Sequence, residues 1–78
     1  MSLPAYRITL GERILVYRRE KAISQRAFGK LVGVSAQAVS KWEQNLCCPD
    51  ILVLPGLAQI LACSIDDFFE VRDPDASR

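Results

Sequence analysis

The sequence predicts a small, all-α fold, a compact bundle of five helices built from 78 residues. Two observations carry this prediction. Half of the residues are hydrophobic, which is enough for a single core in a chain of this length. Apolar residues also recur at helical spacing in several segments, and each segment follows a Ser, Thr or Asp that can cap a helix. No strand-length segment alternates between polar and apolar residues clearly enough to predict a strand.

The first predicted helix covers residues 9–21. Thr9 is a candidate N-cap, and Glu12, three residues later, completes a capping-box pattern. After Ala22, Ile23 is expected to turn into the core. The face of this helix that we expect to pack inward carries Leu10, Ile14 and Tyr17.

A brief turn separates the second and third predicted helices. Ser24 caps the second helix, which runs to Val32, and Gly33 follows because glycine adopts the left-handed conformation without a Cβ clash. Ser35 caps the third helix, which runs to Gln44. Two short helices joined by so brief a turn cannot lie side by side, so they are expected to cross steeply, as in a helix-turn-helix.

The fourth predicted helix follows a loop and ends at about Ala62. Asp50 can cap it, but Pro55-Gly56 interrupts its early part, because proline removes a hydrogen bond and clashes with the preceding turn. Proline is tolerated in the first turn of a helix. The regular helix is therefore expected to begin only near Leu54.

A fifth helix and the limits of the domain complete the prediction. Ser64 and Asp67 form a second capping box, which opens a helix that ends at residue 69 or 70. We expect residues 1–8 to be an N-terminal arm, of which residues 1–3 need not be native. Residues 9–70 then form the domain, and residues 71–78 form a polar, frayed tail.

Composition argues against several classes of protein. There is no His and no C-x-x-C pair, so a zinc site lacks ligands and no metal or cofactor is expected. Cys47, Cys48 and Cys63 are interpreted as reduced thiols of a cytoplasmic protein. The chain shows neither a signal peptide nor a membrane-length apolar run, so no membrane partner is expected. Asp66-Asp67 is a carboxylate pair, but capping explains Asp67, and no nucleophile–base pattern indicates an enzyme.

Charge is unevenly distributed along the chain. Residues 1–42 carry eight basic side chains and two acidic ones, whereas residues 43–78 carry two basic and seven acidic ones. One half can therefore face phosphates while the other faces away. Basic side chains that merely solvate helix faces would give the same totals, so charge alone favours a nucleic-acid partner only modestly.

The text SQRAFGKLVGVSAQAVSKWEQN at residues 24–45, followed by PDILVLPGLAQILACSIDDFF at residues 49–69, resembles a known family. This is the phage repressor and Cro family of helix-turn-helix proteins, also called the XRE family. The resemblance covers roughly residues 10–69 and implies the lambda-repressor-like, five-helix DNA-binding fold, with the helix-turn-helix at helices 2 and 3. It implies that the motif is built by the packing of Phe28, Gly29, Gly33, Val34, Val39 and Trp42.

The resemblance also implies which side chains meet double-stranded DNA. The third helix would enter the major groove, and its base-reading residues would be Ala36, Gln37, Ser40 and Lys41. Gln37 can pair with adenine, Lys41 with guanine, and Ala36 with a thymine methyl group; lysine also often binds phosphate instead. Backbone phosphates would be bound by Gln25, Arg26, Gln44 and Asn45, with longer-range attraction from Lys30.

One ion pair and several departures from the family pattern complete the comparison. Arg18 and Glu43 match a family ion pair that links the first helix to the end of the third, and each charge would need the other. Ala62-Cys63 replaces the usual Gly-Val. Leu31 and the apolar loop Leu46-Cys47-Cys48 are expected to form part of a dimer surface if they are exposed together.

Two hypotheses for function follow from the sequence. The first is a sequence-specific DNA-binding transcriptional regulator, a repressor, that acts as a homodimer on an inverted repeat. The alternative is an antitoxin or adaptor that uses the same fold mainly to bind another protein. No small-molecule ligand is indicated.

Overall fold

The computed structural model describes residues 5–72. Within them the chain forms four α-helices, one 3-10 turn at Ile65–Phe68 and two short strands. The helices are α1 (Leu10–Lys21), α2 (Gln25–Val32), α3 (Ala36–Glu43) and α4 (Leu54–Ile60), and the strands are β1 (Ala5–Ile8) and β2 (Phe69–Arg72).

Serine side chains begin α2 and α3, as the sequence predicts. The Ser24 hydroxyl accepts a hydrogen bond from the Ala27 N–H at 3.0 Å, and Ser35 does the same for Ala38 at 3.2 Å. Each bond satisfies one of the backbone donors that the first turn of a helix leaves without a partner. The residue after α2, Gly33, has a φ of 90°, the left-handed conformation that ends the helix.

The predicted capping box at the start of α1 is wrong. The Thr9 side chain makes no capping bond to the helix. Its hydroxyl instead donates to the Asp67 carbonyl at 2.7 Å, while its N–H donates to the Phe68 carbonyl at 2.8 Å. The start of α1 is therefore held by hydrogen bonds to the backbone of residues 67 and 68, and not by a capping bond within the helix.

Helix α4 begins at Leu54, which confirms the late start expected from Pro55-Gly56. Proline lies in the first turn, where its missing N–H breaks no helical hydrogen bond. The helix ends at Ile60, two residues earlier than expected, and Ala62 follows with a φ of 55°. An alanine thus occupies the left-handed position that more often carries glycine.

The prediction of five helices is wrong at the C-terminal end of the chain, where a short pair of strands adds to the otherwise helical fold. The second capping box is present, with the Ser64 N–H donating to Asp67 Oδ2 at 3.0 Å, but only a 3-10 turn follows. From Phe69 the chain is extended because β2 pairs antiparallel with β1. Residues 5–8 of the expected arm and 71–72 of the expected tail are therefore paired strands. The remaining residues of both segments lie outside the described range.

The core lies where α1, α2, α3, α4 and the 3-10 turn meet. The Tyr17 and Phe28 rings pack edge to face, with centroids 5.7 Å apart. Such a pair adds to the stabilisation from burial alone. Among the described residues, the buried hydrophobic ones are Leu10, Ile14, Phe28, Val39, Trp42, Leu57, Ala58 and Phe68.

Among residues 5–72, no helix has the length and apolar character needed to cross a membrane.

Candidate nucleic-acid interface

The turn between α2 and α3 is held by one carbonyl group. The Gly29 oxygen accepts from the Gly33 N–H at 2.7 Å and from the Val34 N–H at 2.8 Å. A Cβ atom at Gly29 would lie 2.5 Å from the Val34 carbonyl oxygen, closer than packing allows. The absence of a side chain at Gly29 therefore lets the start of α3 pack against α2.

Helix α3 has one buried side and one exposed side. Val39 is fully buried and Trp42 is 5% exposed, and these residues fix the rotation of the helix against the core. Gln37 and Lys41, four residues apart, are exposed and lie on the same face. The half-buried Ala36 and Ser40 repeat at the same spacing. The four sequence-predicted base-reading residues thus occupy two neighbouring rows of one short helix.

An ion pair ties α1 to the last residue of α3. Arg18 Nε donates to Glu43 Oε2 at 2.6 Å, and a second guanidinium nitrogen donates to Oε1 at 3.0 Å. Arg18 also donates to the Ile23 carbonyl at 3.2 Å, in the connection before α2. The Arg18 and Glu43 side chains are 17% and 8% exposed, so water screens their interaction only weakly.

The environment of this pair shifts both ionisation equilibria. Burial by itself would raise the pKa of Glu43, but the hydrogen bonds from Arg18 and Gln25 outweigh it and the pKa lies below its usual value. The hydrogen bond to Glu43 raises the pKa of Arg18. Both groups are therefore held in their charged forms.

Gln25 makes a contact that the sequence did not predict. Its side-chain amide donates to Glu43 Oε1 at 3.0 Å and is half-buried. Glu43 thereby joins the start of α2 to α1. The backbone N–H groups of Gln25 and Arg26, in the first turn of α2, have no carbonyl partner within the helix. These N–H groups are donors available to an anion, and the Gln25 amide has a second N–H besides the one donated to Glu43.

Hydrogen bonds also hold the C-terminal end of α3 and the residues that follow it. The Gln44 amide donates to the Ser40 hydroxyl at 2.9 Å. Asn45 has a φ of 59°, which turns the chain out of the helix. The Leu46 N–H then donates to the Lys41 carbonyl at 2.9 Å, so the start of the following loop is fastened to α3.

Gly11 is a structural residue that the sequence reasoning missed. It is buried, and a Cβ there would lie 2.6 Å from the Trp42 carbonyl and 2.9 Å from that of Glu43. The backbones of α1 and α3 therefore approach closely at this point. A glycine inside a predicted helix, where it costs stability, was the available signal.

The exposed charge around α2 and α3 is positive. Arg26, Lys30 and Lys41 are all exposed, and residues 24–42 contain no acidic side chain. The first acid beyond them, Glu43, is paired with Arg18. Across residues 5–72 no three His, Cys, Asp or Glu side chains come together as a metal site would require.

Comparison with known proteins agrees with this geometry. Residues 14–68 match the model of the helix-turn-helix family HTH_3. This match covers more than half of the chain, and the chain belongs to that family.

Two curated relatives are named as regulators of transcription or as repressors. Repressor protein C2 of Salmonella phage P22 is 44% identical over 57 residues, which make up 73% of this chain and 26% of the repressor. The HTH-type transcriptional regulator PuuR of Escherichia coli (strain K12) is 33% identical over 66 residues, 83% of this chain and 36% of PuuR. The chain therefore matches only about a quarter to a third of the length of these relatives.

Solved structures of such proteins superpose on the chain. The P22 c2 repressor, in complex with synthetic operator 9T, matches with a TM-score of 0.68 and 42% identity over 76% of this chain and 89% of that one. The N-terminal DNA-binding domain of SinR from Bacillus subtilis matches with a TM-score of 0.63 and 31% identity, over 77% and 88% of the two chains. The fold is therefore the helical helix-turn-helix fold of these domains.

Proposed function

We propose that this chain is the DNA-binding domain of a sequence-specific transcriptional regulator, acting as a repressor. The observation that carries the proposal is the disposition of α3. Its inner side is locked to the core through Val39 and Trp42, while Gln37 and Lys41 project from the opposite side. The similarity to a repressor solved with operator DNA supports the same use of this helix.

In this proposal α3 lies in the major groove, which is about 12 Å wide and admits an α-helix. The Gln37 amide can both donate to and accept from adenine, and Lys41 can donate to guanine or to a phosphate. Ala36 offers a methyl group to thymine. Ser40 already accepts a hydrogen bond from Gln44 and retains its own proton to donate.

Phosphate contacts at both ends of the motif would set the position of α3. At the start of α2 the donors are the backbone N–H groups of Gln25 and Arg26, helped by the positive end of the helix dipole. The exposed side chains of Arg26 and Lys30 add positive charge. At the far end, Gln44 and Asn45 lie where the chain leaves α3. The Gln25 amide donates one N–H to Glu43 and keeps a second N–H for a phosphate.

We further propose that two copies bind an inverted repeat whose half-sites lie about one helical turn apart. A reading surface of four residues on an eight-residue helix specifies few base pairs. Duplication is the simplest way to extend that specificity. Leu31 and Leu46 are 57% and 68% exposed, and this exposure keeps them available for the dimer contact expected from the sequence.

The proposed role is regulatory rather than enzymatic, and the compartment that we propose is the cytoplasm of a bacterial cell or phage host. The named relatives are repressors and transcriptional regulators.

The alternative role, as an antitoxin or adaptor, is favoured by an exposed apolar segment other than Leu31 and Leu46. Ile51 and Leu52, in the loop after α3, are 74% and 85% exposed.

Selection from a random pool of double-stranded DNA tests the proposal. We expect enrichment of one inverted repeat, with an affinity that falls as salt rises because cations are released from phosphates. A pool that shows no enriched sequence, together with a flat salt response, would contradict it. Capture of a stoichiometric protein that covers α3 would instead establish the adaptor role.

A further inference from the structure

The loop between α3 and α4 presents two adjacent thiols to solvent. Cys47 and Cys48 are both free and exposed, whereas Cys63, the third free thiol, is half-buried. The beginning of the loop is fixed by the left-handed Asn45 and by the Leu46 hydrogen bond to Lys41. The pair therefore lies on a short, anchored segment that follows α3, and not in the core.

The two thiols are badly placed to form a disulfide with each other. Consecutive Cα atoms lie about 3.8 Å apart. A disulfide needs Cα atoms roughly 4.4–6.8 Å apart, and a shorter separation stores strain that makes the bond easy to reduce. A single atom bonded to both sulfurs avoids this strain, because an S–atom–S bridge is longer than an S–S bond.

The number of available protein ligands decides which element can bridge the two sulfurs. Zinc takes four ligands in structural sites. Across residues 5–72 no group of three or more His, Cys, Asp or Glu side chains could hold a metal ion. A site made of two soft thiolates suits a sulfur-seeking centre with only two open positions. Arsenic(III) that carries one organic substituent is such a centre.

We propose that Cys47 and Cys48 form a dithiol site for monosubstituted arsenic(III) compounds and that filling the site weakens DNA binding. Each S–H loses its proton as its sulfur bonds to arsenic, and the two arsenic-bound hydroxyl groups leave as two water molecules. Arsenic stays trivalent and both sulfurs keep their oxidation state. The reaction therefore needs no oxidant or reductant.

The effect on DNA rests on the proposed function. Cys47 follows Gln44 and Asn45, the proposed phosphate ligands, by three and two residues. A ring that spans Cys47 and Cys48 restricts the backbone of this loop and adds a bulky apolar group. Because Leu46 is hydrogen-bonded to Lys41, the constraint reaches the end of α3 directly.

Intact-protein mass spectrometry with phenylarsine oxide tests the site without DNA. We expect one phenylarsenic group per chain that survives excess glutathione and is released by 2,3-dimercaptopropanol. C63S keeps this behaviour, while C47S and C48S each lose the adduct in glutathione because one sulfur cannot chelate. An adduct that survives glutathione in both C47S and C48S, or a wild-type chain that retains none, would overturn the site.

Fluorescence anisotropy with the selected DNA then tests the coupling. We expect the adduct to weaken binding by about tenfold, equivalent to roughly 1.4 kcal/mol, in the wild type and in C63S. C47S and C48S should bind equally well with and without the reagent. Equal affinity of modified and unmodified wild type would overturn the coupling alone. Failure of the unmodified protein to bind any DNA would overturn the proposed function and the coupling, while the mass measurement still decides the site.

Discussion

The guanidinium of Arg18 lies 2.6 Å from the carboxylate of Glu43, and the amide of Gln25 lies 3.0 Å from the same carboxylate. Glu43 therefore joins the first three helices at one point. Glu43 is the last residue of α3, so the pair fixes the end of this helix against α1. The position of the proposed reading surface depends on this contact.

Replacement of Arg18 by methionine keeps much of the aliphatic stem but leaves Glu43 without its charged partner. We expect the free energy of unfolding to fall by about 2 kcal/mol, because a largely buried carboxylate loses charge-assisted hydrogen bonds. Urea denaturation measures this change. Arg19→Met, at the exposed neighbouring position, is the matched control and should stay within about 0.5 kcal/mol of the wild type.

The same contact makes stability depend on pH. The pKa of Glu43 is lower in the folded chain than in the unfolded chain, so its contribution is complete above the ordinary carboxyl pKa. As pH falls below that value and through the lowered folded pKa, protonation removes the contribution. Hydrogen bonding from the Ser64 backbone lowers the pKa of Asp67, which acts in the same direction.

We therefore expect stability to fall less steeply with decreasing pH in Glu43→Gln and, separately, in Asp67→Asn. Thermal unfolding followed across the acidic range measures both effects. A fall in stability with decreasing pH in Glu43→Gln that is as steep as in the wild type would show that another group controls the transition.

Ala62 carries the left-handed conformation at the end of α4, with a φ of 55°. This conformation costs an alanine roughly 1–2 kcal/mol, whereas glycine adopts it freely. The greater freedom of glycine in the unfolded chain offsets about 0.4–1 kcal/mol of that gain. Ala62→Gly should therefore stabilise the chain by about 0.5–1 kcal/mol in urea denaturation.

The control is Ala27→Gly in α2, where the backbone is helical and glycine should cost about 0.5–1 kcal/mol. Stabilisation by both substitutions, or by neither, would mean that backbone strain at residue 62 is not the cause.

Arg26 should contribute to DNA affinity without reading sequence. It is exposed in the first turn of α2, whose backbone N–H groups are proposed to bind phosphate. Arg26→Ala should weaken binding to all sequences alike and reduce the slope of log affinity against log salt by about one. Titrations at several salt concentrations measure the slope. A loss confined to one DNA sequence would assign Arg26 to a base instead.

Local chemistry made most of the helical fold predictable. Ser24, Ser35 and Gly33 bound the two helices of the motif because their capping depends on neighbouring residues in sequence. The strand pair was not predictable in this way. Ala5 and Arg72 lie at opposite ends of the described chain, and neither four-residue strand has a pattern of its own. Only their pairing stabilises either segment as a strand.

The same distinction applies to the residues of the candidate site: some positions could be predicted from the sequence and others could not. The spacing of Gln37 and Lys41 on α3 follows from helical geometry alone. The close approach at Gly11 and the hydrogen bond from Gln25 to Glu43 depend on how α1, α2 and α3 are arranged in space. Sequence proximity predicts neither contact, and the one signal in the sequence is that Gly11 lies inside a predicted helix.

The central claim is that the exposed face of α3 reads base sequence. The most direct test repeats the selection from random DNA with Gln37→Ala, and with Gln59→Ala, an exposed glutamine of α4, as its matched control. We predict that Gln37→Ala relaxes the preference at one base pair in each half-site, at a cost of about 1–3 kcal/mol, and that Gln59→Ala leaves the selected site unchanged. An identical site and affinity for Gln37→Ala and the wild type would contradict the claim.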